Sequence, residues 1–285
     1  MNNNPIFLIL GANGQLGKQF AKDLAVRNKT VIAPDEKDCD ITNIDILNRF
    51  IDSIKPTVVI NCAAYNVVDL AEQQSDTAYL INTTAVKSIA TLCSEKHIFL
   101  VHYSSDYVFD GNKGNLYTEN DIPNPLNIYG KSKRAGEEAV LSSSGKYLLF
   151  RTSWVFGNGT QNFIYKMLQW SQKNSVLKLT ADEVSVPTST IDLVDITLRS
   201  IDKGLNGLYH LTNSDYASRY EWGRYIAQQL SLHSTIIPVP MSAFPSPAQR
   251  PLFSAMSNQK LQHDLGYTIP DWRDATRRFL IEYPV

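Results

Sequence analysis

Short, unbroken apolar runs alternate with stretches of helical periodicity through the first half of the chain. Ile6 to Leu10 is a continuous apolar run ended by glycine, which predicts a buried strand. Leu16, Phe20 and Leu24 then recur at helical spacing. Thr30 to Ala33 predicts a second strand, followed by a helix through Ile54 with Thr42 or Asn43 as its cap. Val58-Val59-Ile60 is a third strand, and Ala85, Ile89, Leu92 and Cys93 place a helix between Tyr79 and Cys93. A fourth strand from Ile98 to His102, a helix from about Leu126 to Leu141 and a strand from Tyr147 to Phe150 complete the run. This alternation predicts a doubly wound parallel α/β sheet, in which ligands sit beyond the carboxyl ends of the strands.

After Trp154 the texture changes. A helix opens at Asn162-Phe163, with a short strand from Val176 and helices from Ile191 to Ile201 and Tyr220 to Leu230. A strand at Leu208 to Leu211 and a proline-rich ordered loop, Ile236 to Pro251, are also expected. Residues 1–155 thus read as a dinucleotide-binding domain whose late sheet elements return from about 185–205. Residues 156–285 read mainly as a smaller substrate lobe.

The strand-to-helix junctions carry the candidate chemistry. Gly11, Gly14 and Gly17 stand between the first strand and the first helix, the context in which a glycine turn can cradle a pyrophosphate. Asp35, just past the second strand, lies where a carboxylate meets adenosine ribose hydroxyls and disfavours a 2′-phosphate, a lean towards NADH. Asp40 falls near the adenine. The small residues after the third strand, Ala63 and Ala64 with Tyr65, leave room for a ligand. Tyr129 and Lys133 are one helical turn apart, and an ammonium beside a phenol favours the phenolate, which suits acid/base work.

Composition narrows the class. The chain has 285 residues, 43% hydrophobic and 19% charged, with a net charge of −1. That is an ordinary globular balance, and it offers no electrostatic case for nucleic acid or an anionic membrane. No apolar run approaches the roughly 20 residues of a membrane span. The run at Ile6 is too short for a signal-peptide core, and Met1 to Pro5 is polar and uncharged. Cys39, Cys62 and Cys93 lack metal-ligand spacing, so reduced cysteines in a cytoplasmic protein are expected.

Taken in order, these motifs resemble the dTDP-4-dehydrorhamnose reductase family within the extended short-chain dehydrogenase/reductase superfamily. The resemblance rests on Gly11 to Gly17, Cys39-Asp40-Ile41-Thr42, Asn61-Cys62-Ala63-Ala64-Tyr65 with Val68-Asp69, and Ser105-Asp106-Tyr107-Val108-Phe109-Asp110-Gly111. It continues through Tyr129-Gly130-Lys131-Ser132-Lys133, Arg151-Thr152-Ser153-Trp154, Asn162-Phe163, Pro187-Thr188 and Arg250-Pro251.

The resemblance implies a Rossmann-like fold and a monomer or homodimer. It also implies NADPH- or NADH-dependent reduction of the 4-keto group of a nucleotide-linked 6-deoxy sugar. The specific reaction would be dTDP-4-dehydro-L-rhamnose to dTDP-L-rhamnose, for cell-surface polysaccharide. Tyr129 would protonate the sugar oxygen, Lys133 would hold the nicotinamide ribose and depress the Tyr129 pKa, and Ser105 would bond the reacting oxygen. Gly14, Gln15 and Leu16 match pyrophosphate contacts; Asp35, Asp40 and Ile41 match adenosine contacts; Ala63, Ala64, Tyr65 and Tyr103 line the cofactor. Val68, Asp106, Tyr107 and Trp154 match positions around the sugar nucleotide, and Asn162 and Arg250 would meet the diphosphate.

Two departures stand out. The family's Asp-Gln-x-Gly-x-Pro-Thr is Asp182-Glu183-Val184-Ser185-Val186-Pro187-Thr188 here, which bears on the sugar rather than on the chemistry. Gln19 replaces a glutamate that some members use to bridge a dimer through metal, so no structural metal is expected. Two other readings fit the same residues: a reductase or epimerase for a UDP- or GDP-linked sugar, and a non-catalytic NADP-binding regulatory subunit.

Overall fold

The computed structural model describes residues 5–282, so most of Met1 to Pro5 lies outside the described residues. The first half runs β1 (Ile6–Leu10), α1 (Gln15–Val26), β2 (Thr30–Ile32), α2 (Ile44–Ile54), β3 (Val58–Asn61), α3 (Val68–Ala71) and α4 (Ser75–Tyr79). Then come α5 (Ala85–Glu95), β4 (Phe99–Ser105), α6 (Ile128–Leu141) and β5 (Tyr147–Thr152). The second half runs β6 (Val155–Phe156), α7 (Phe163–Lys173), β7 (Val176–Thr180), β8 (Val184–Ser185), β9 (Thr188–Ser189), α8 (Thr190–Asp202) and β10 (Gly207–His210). It closes with β11 (Ala217–Ser218), α9 (Arg219–Gln229), β12 (Thr235–Val239), α10 (Gln259–Leu265) and α11 (Trp272–Glu282).

Six strands form one sheet in the order β2-β1-β3-β4-β5-β10, and every pairing in it is parallel. Strand alternation divides the core into two layers. Phe7, Ile9, Val101, Tyr103 and Phe150 face Phe20 and Leu24 of α1 and Leu193 and Ile196 of α8. Leu8, Leu10, Val59, Leu100 and Leu149 face Leu47, Ile51, Ile89 and Val140 of α2, α5 and α6. Both faces are covered, which is why these strands read as unbroken apolar runs. Each such side chain, fully buried, is worth about 1.5–3 kcal/mol.

Chain order turns back between β1 and β3, so the crevice expected at a switch point opens beyond their carboxyl ends. A second core, with Phe156, Met167, Trp222, Trp272 and Phe279, holds the smaller lobe. The interleaving runs further than expected: β10 closes the main sheet beside β5, so that sheet takes chain through residue 210.

The helix expected between Tyr79 and Cys93 is broken. A π-helical turn, Leu80–Thr84, separates α4 from α5. The Asn82 side chain explains it: Nδ2 donates to the Tyr65 carbonyl and to Ser132, while Oδ1 accepts from the Tyr65 N–H. These bonds tie the turn to the loop after β3 and to α6, and a wide turn is the backbone's accommodation. No helix among the described residues is long and apolar enough to cross a membrane.

Candidate active site

The glycine turn at the end of β1 is built by the protein's own packing at two of its three positions. Gly11 has φ +75°, and a Cβ there would lie 2.5 Å from the Ala63 nitrogen. A Cβ on Gly17 would lie 2.4 Å from the Gly11 carbonyl oxygen, so only glycine lets α1 approach β1 this closely. Gly14 differs, because its Cβ would meet Gly11 O at an ordinary 3.4 Å. The first turn of α1, which includes Gln15 and Leu16, has no acidic residue and no side-chain cap. Its free N–H groups are therefore available to an anion. Gln15 donates from Nε2 to Val155 O at 3.1 Å, and its Oε1 is buried without a partner. This cradle fits a dinucleotide pyrophosphate.

The expected adenosine positions cap their own loops. Asp35 accepts from the N–H groups of Lys37 and Asp38, and Asp40 accepts from the N–H and hydroxyl of Thr42. Both lie with Ile41 on the loop that leads from β2 to α2. After β3, Ala63 donates its N–H to Asn61 Oδ1, Tyr65 is pinned by Asn82, and Ala64 lies half-buried between them. Tyr103 departs from expectation. Strand alternation turns its ring into the core against Phe20 and Phe150, with its hydroxyl 2.6 Å from Thr197. Only its backbone carbonyl reaches the site, where it accepts from Lys133 Nζ at 2.6 Å.

Ser105, Tyr129 and Lys133 come together. Ser105 ends β4; Tyr129 and Lys133 lie on the first turns of α6, whose N-cap Asn127 accepts from the Gly130 N–H. Two glycines seat this helix. A Cβ at Gly130 would lie 2.2 Å from Tyr107 O, and one at Gly136 would lie 2.2 Å from Asn82 O. Tyr129 is 8% exposed and meets the Tyr107 ring edge-on at 5.6 Å.

Burial pushes the Tyr129 phenol up to about 12; a hydrogen bond with Ser105 opposes the rise and the Asp106 charge adds to it. Burial pulls the Lys133 ammonium down to about 8, against the favourable charge of Glu137. The expected depression of the phenol by Lys133 is therefore not what governs it. Desolvation outweighs charge proximity in this closed site.

On the substrate side, Val68 packs with Tyr65, Tyr107 and Tyr129. Trp154 is half-buried with φ +40°, a conformation that bulky residues adopt only when held, and it stacks on Trp222. Arg250 makes a two-pronged ion pair with Asp69, at 2.7 and 3.0 Å. Asn162 is corrected: its buried amide donates to Gly157 O and Gly159 O while Oδ1 caps α7 through the Tyr165 N–H. With donors and acceptor committed locally, it has nothing left for a diphosphate. Asp106 is buried beneath the site, accepting hydroxyls from Ser105, Ser185 and Ser254.

Sequence reasoning passed over Arg219. Its guanidinium lies 3.5 Å over the Trp154 ring and 3.8 Å from Glu183, and burial lowers its pKa. The signal was present: Ser218 and Glu221 form a capping box, so Arg219 sits in the first turn of α9. A cation there opposes the helix dipole, which marks it as serving something other than the helix.

The chain matches the family model described as the RmlD substrate binding domain over residues 6–284. It is 37% identical to a dTDP-4-dehydrorhamnose reductase of Burkholderia thailandensis, covering 94% of this chain and 95% of that one. The crystal structure of a dTDP-4-dehydrorhamnose reductase from Clostridium acetobutylicum superposes with a TM-score of 0.95 at 37% identity, over 98% of this chain and 99% of the other. The Bacillus anthracis enzyme in complex with NADP does so with a TM-score of 0.95 at 34% identity, over 98% and 100%. These matches run over nearly the whole chain: it belongs to the dTDP-4-dehydrorhamnose reductase family.

Proposed function

We propose that the chain reduces the 4-keto group of dTDP-4-dehydro-L-rhamnose, giving dTDP-L-rhamnose for cell-surface polysaccharide. The observation that carries this is the junction of Ser105, Tyr129 and Lys133 beside a glycine cradle that fits a dinucleotide. NAD(P)H, when bound along that cradle, supplies the hydride that C4 of the sugar accepts. Reduction also needs a proton at the sugar oxygen. A phenol held up to about 12 keeps its proton at neutral pH, so Tyr129 rests in the donor form.

As the proton leaves, phenolate charge develops in a buried site. The Ser105 hydroxyl and the Lys133 ammonium, still mostly charged below its value of about 8, stabilise it. Lys133 also donates to the nicotinamide ribose, held in aim by the Tyr103 carbonyl. Gly14, Gln15 and Leu16 take the pyrophosphate; Gly11 and Gly17 shape that turn. Asp35, Asp40 and Ile41 flank the adenosine, and Ala63, Ala64 and Tyr65 flank the nicotinamide half.

Val68, Tyr107 and Trp154 surround the sugar with Asp106 beneath them, and Arg250 offers the guanidinium for the diphosphate. The three free cysteines favour a reducing, cytoplasmic setting.

The deciding experiment is a spectrophotometric screen of dTDP-, UDP- and GDP-linked 4-keto-6-deoxy sugars with NADH and NADPH, with products identified by NMR. We expect loss of cofactor absorbance with the dTDP-linked sugar. Cofactor binding without oxidation by any of these sugars would leave a regulatory role instead.

A further inference from the structure

Beside the Ser105–Tyr129 pair lies a second, anionic centre. The Asp106 side chain, 2% exposed, collects three buried serine hydroxyls. Ser105 donates to Oδ1 at 3.0 Å, Ser185 to Oδ2 at 2.8 Å and Ser254 to Oδ2 at 2.5 Å. Asp106 follows strand β4 of the main sheet. Ser185 belongs to β8, which pairs with β11 outside the main sheet.

A serine hydroxyl has one proton. When Ser105 gives it to Asp106, its oxygen accepts from the Tyr107 N–H at 3.1 Å and has no proton left for the Tyr129 phenolate. Ser105 can serve the reacting oxygen, or the phenolate, only by turning that proton away from Asp106. How strongly Asp106 holds the proton therefore sets how readily Ser105 changes partner. Each hydroxyl given to Oδ2 spreads the carboxylate's charge and weakens its pull on Ser105.

We propose that Asp106 is a positioning residue acting through Ser105, and that Ser185 tunes it through the hydroxyl it gives to Oδ2. The proposal rests on the ketoreductase reading given above. The charged and titratable groups facing this centre are Tyr129 from α6, Tyr107 beside it and Arg219 from α9, with Glu183 and Arg250 next to Tyr107. Of these, Arg219 favours the Asp106 carboxylate, and the Asp106 charge raises the phenol.

The test compares Ser185→Gly, Ser185→Ala and Asp106→Asn with the unmodified chain. We expect both Ser185 variants to lower kcat by about threefold to tenfold with cofactor KM unchanged, the size of one ordinary hydrogen bond, since Ser185 acts only through Asp106 and Ser105. Asp106→Asn should lower kcat at least as much, again with cofactor KM unchanged, because it removes the carboxylate that holds the Ser105 hydroxyl. Crystal structures of the two Ser185 variants should show the Asp106 carboxylate and Ser105 Oγ turned from their present positions. Variants that lose only thermal stability, with kcat unmoved, would overturn the proposal. So would an unchanged Asp106–Ser105 geometry, even if no sugar nucleotide proved to be a substrate. Inactivity of the unmodified chain on every 4-keto sugar would instead count against the ketoreductase reading.

Discussion

Lys133 donates to the backbone carbonyl of Tyr103 at 2.6 Å, so the ammonium is aimed by the strand that ends in Ser105. The same alternation that buries the Tyr103 ring turns its carbonyl to the Lys133 head. Helix α6 and strand β4 are thus locked in the register the chemistry needs.

In the proposed mechanism Tyr129 is the member of the trio that gives its proton to the sugar oxygen, while Lys133 stays charged to stabilise the phenolate. Tyr129→Phe should retain NADPH binding and thermal stability while kcat falls by about 10²–10⁴, the usual contribution of a positioned acid. Stopped-flow oxidation of NADPH with the dTDP-linked 4-keto sugar measures it. Turnover within a few-fold of normal would remove Tyr129 from the proton step.

Lys133 exacts a stability cost. Burial lowers its pKa from 10.5 to about 8, so between those values the unfolded chain binds more protons than the folded one. The destabilisation is therefore complete below about pH 8 and is relieved as pH rises towards 10.5. Lys133→Met should lose activity yet gain on the order of 1 kcal/mol at pH 7, after the lost bond to Tyr103 is discounted. The gain should shrink above pH 10. Urea melts at pH 7 and 10 test the sign; a Met variant less stable at pH 7 contradicts it.

How much of this was legible in the sequence follows from the range of the contacts. The β1–glycine–α1 turn, the capped start of α2 at Asn43 and the Tyr129–Lys133 face are local, and each was readable from spacing. Ser185 and Ser254 reach Asp106 across 79 and 148 positions of sequence, and no local pattern carries that. The π turn at Asn82 was missed for the same reason, since its cause is a bond to Ser132 on another helix. Tyr103 was assigned by family position, and strand alternation, which the sequence does carry, would have turned it inward.

Arg151 and Glu137 bury a two-pronged ion pair under the site, with both bonds at 2.8 Å and side chains 1% and 0% exposed. Arg151→Ala should cost about 3 kcal/mol, because it leaves the buried Glu137 carboxylate with Arg134, at 3.0 Å, as its remaining ion-pair partner. Arg151→Met with Glu137→Leu should recover most of that loss, since the desolvation of both charges is removed together. Denaturant titration of the single and double variants tests it. Equal losses in the two would mean that shape rather than charge is at stake.

The three glycines of the cradle separate fold from function. At Gly17 an added Cβ would lie 2.4 Å from Gly11 O, so Gly17→Ala must push α1 from β1 and lower stability. At Gly14 the backbone is an ordinary φ −72°, ψ 164°, and the added Cβ would make only a 3.4 Å contact. The protein itself has no use for glycine there; a closely approaching pyrophosphate does. Gly14→Ala should therefore leave the melting temperature within about a degree, since a surface change without strain is worth under about 0.5 kcal/mol. NADPH binding should weaken at least about tenfold, which is ~1.4 kcal/mol. Calorimetric titration beside thermal melts measures both. Unchanged NADPH affinity in Gly14→Ala would take the pyrophosphate away from this turn, whatever the catalytic trio does.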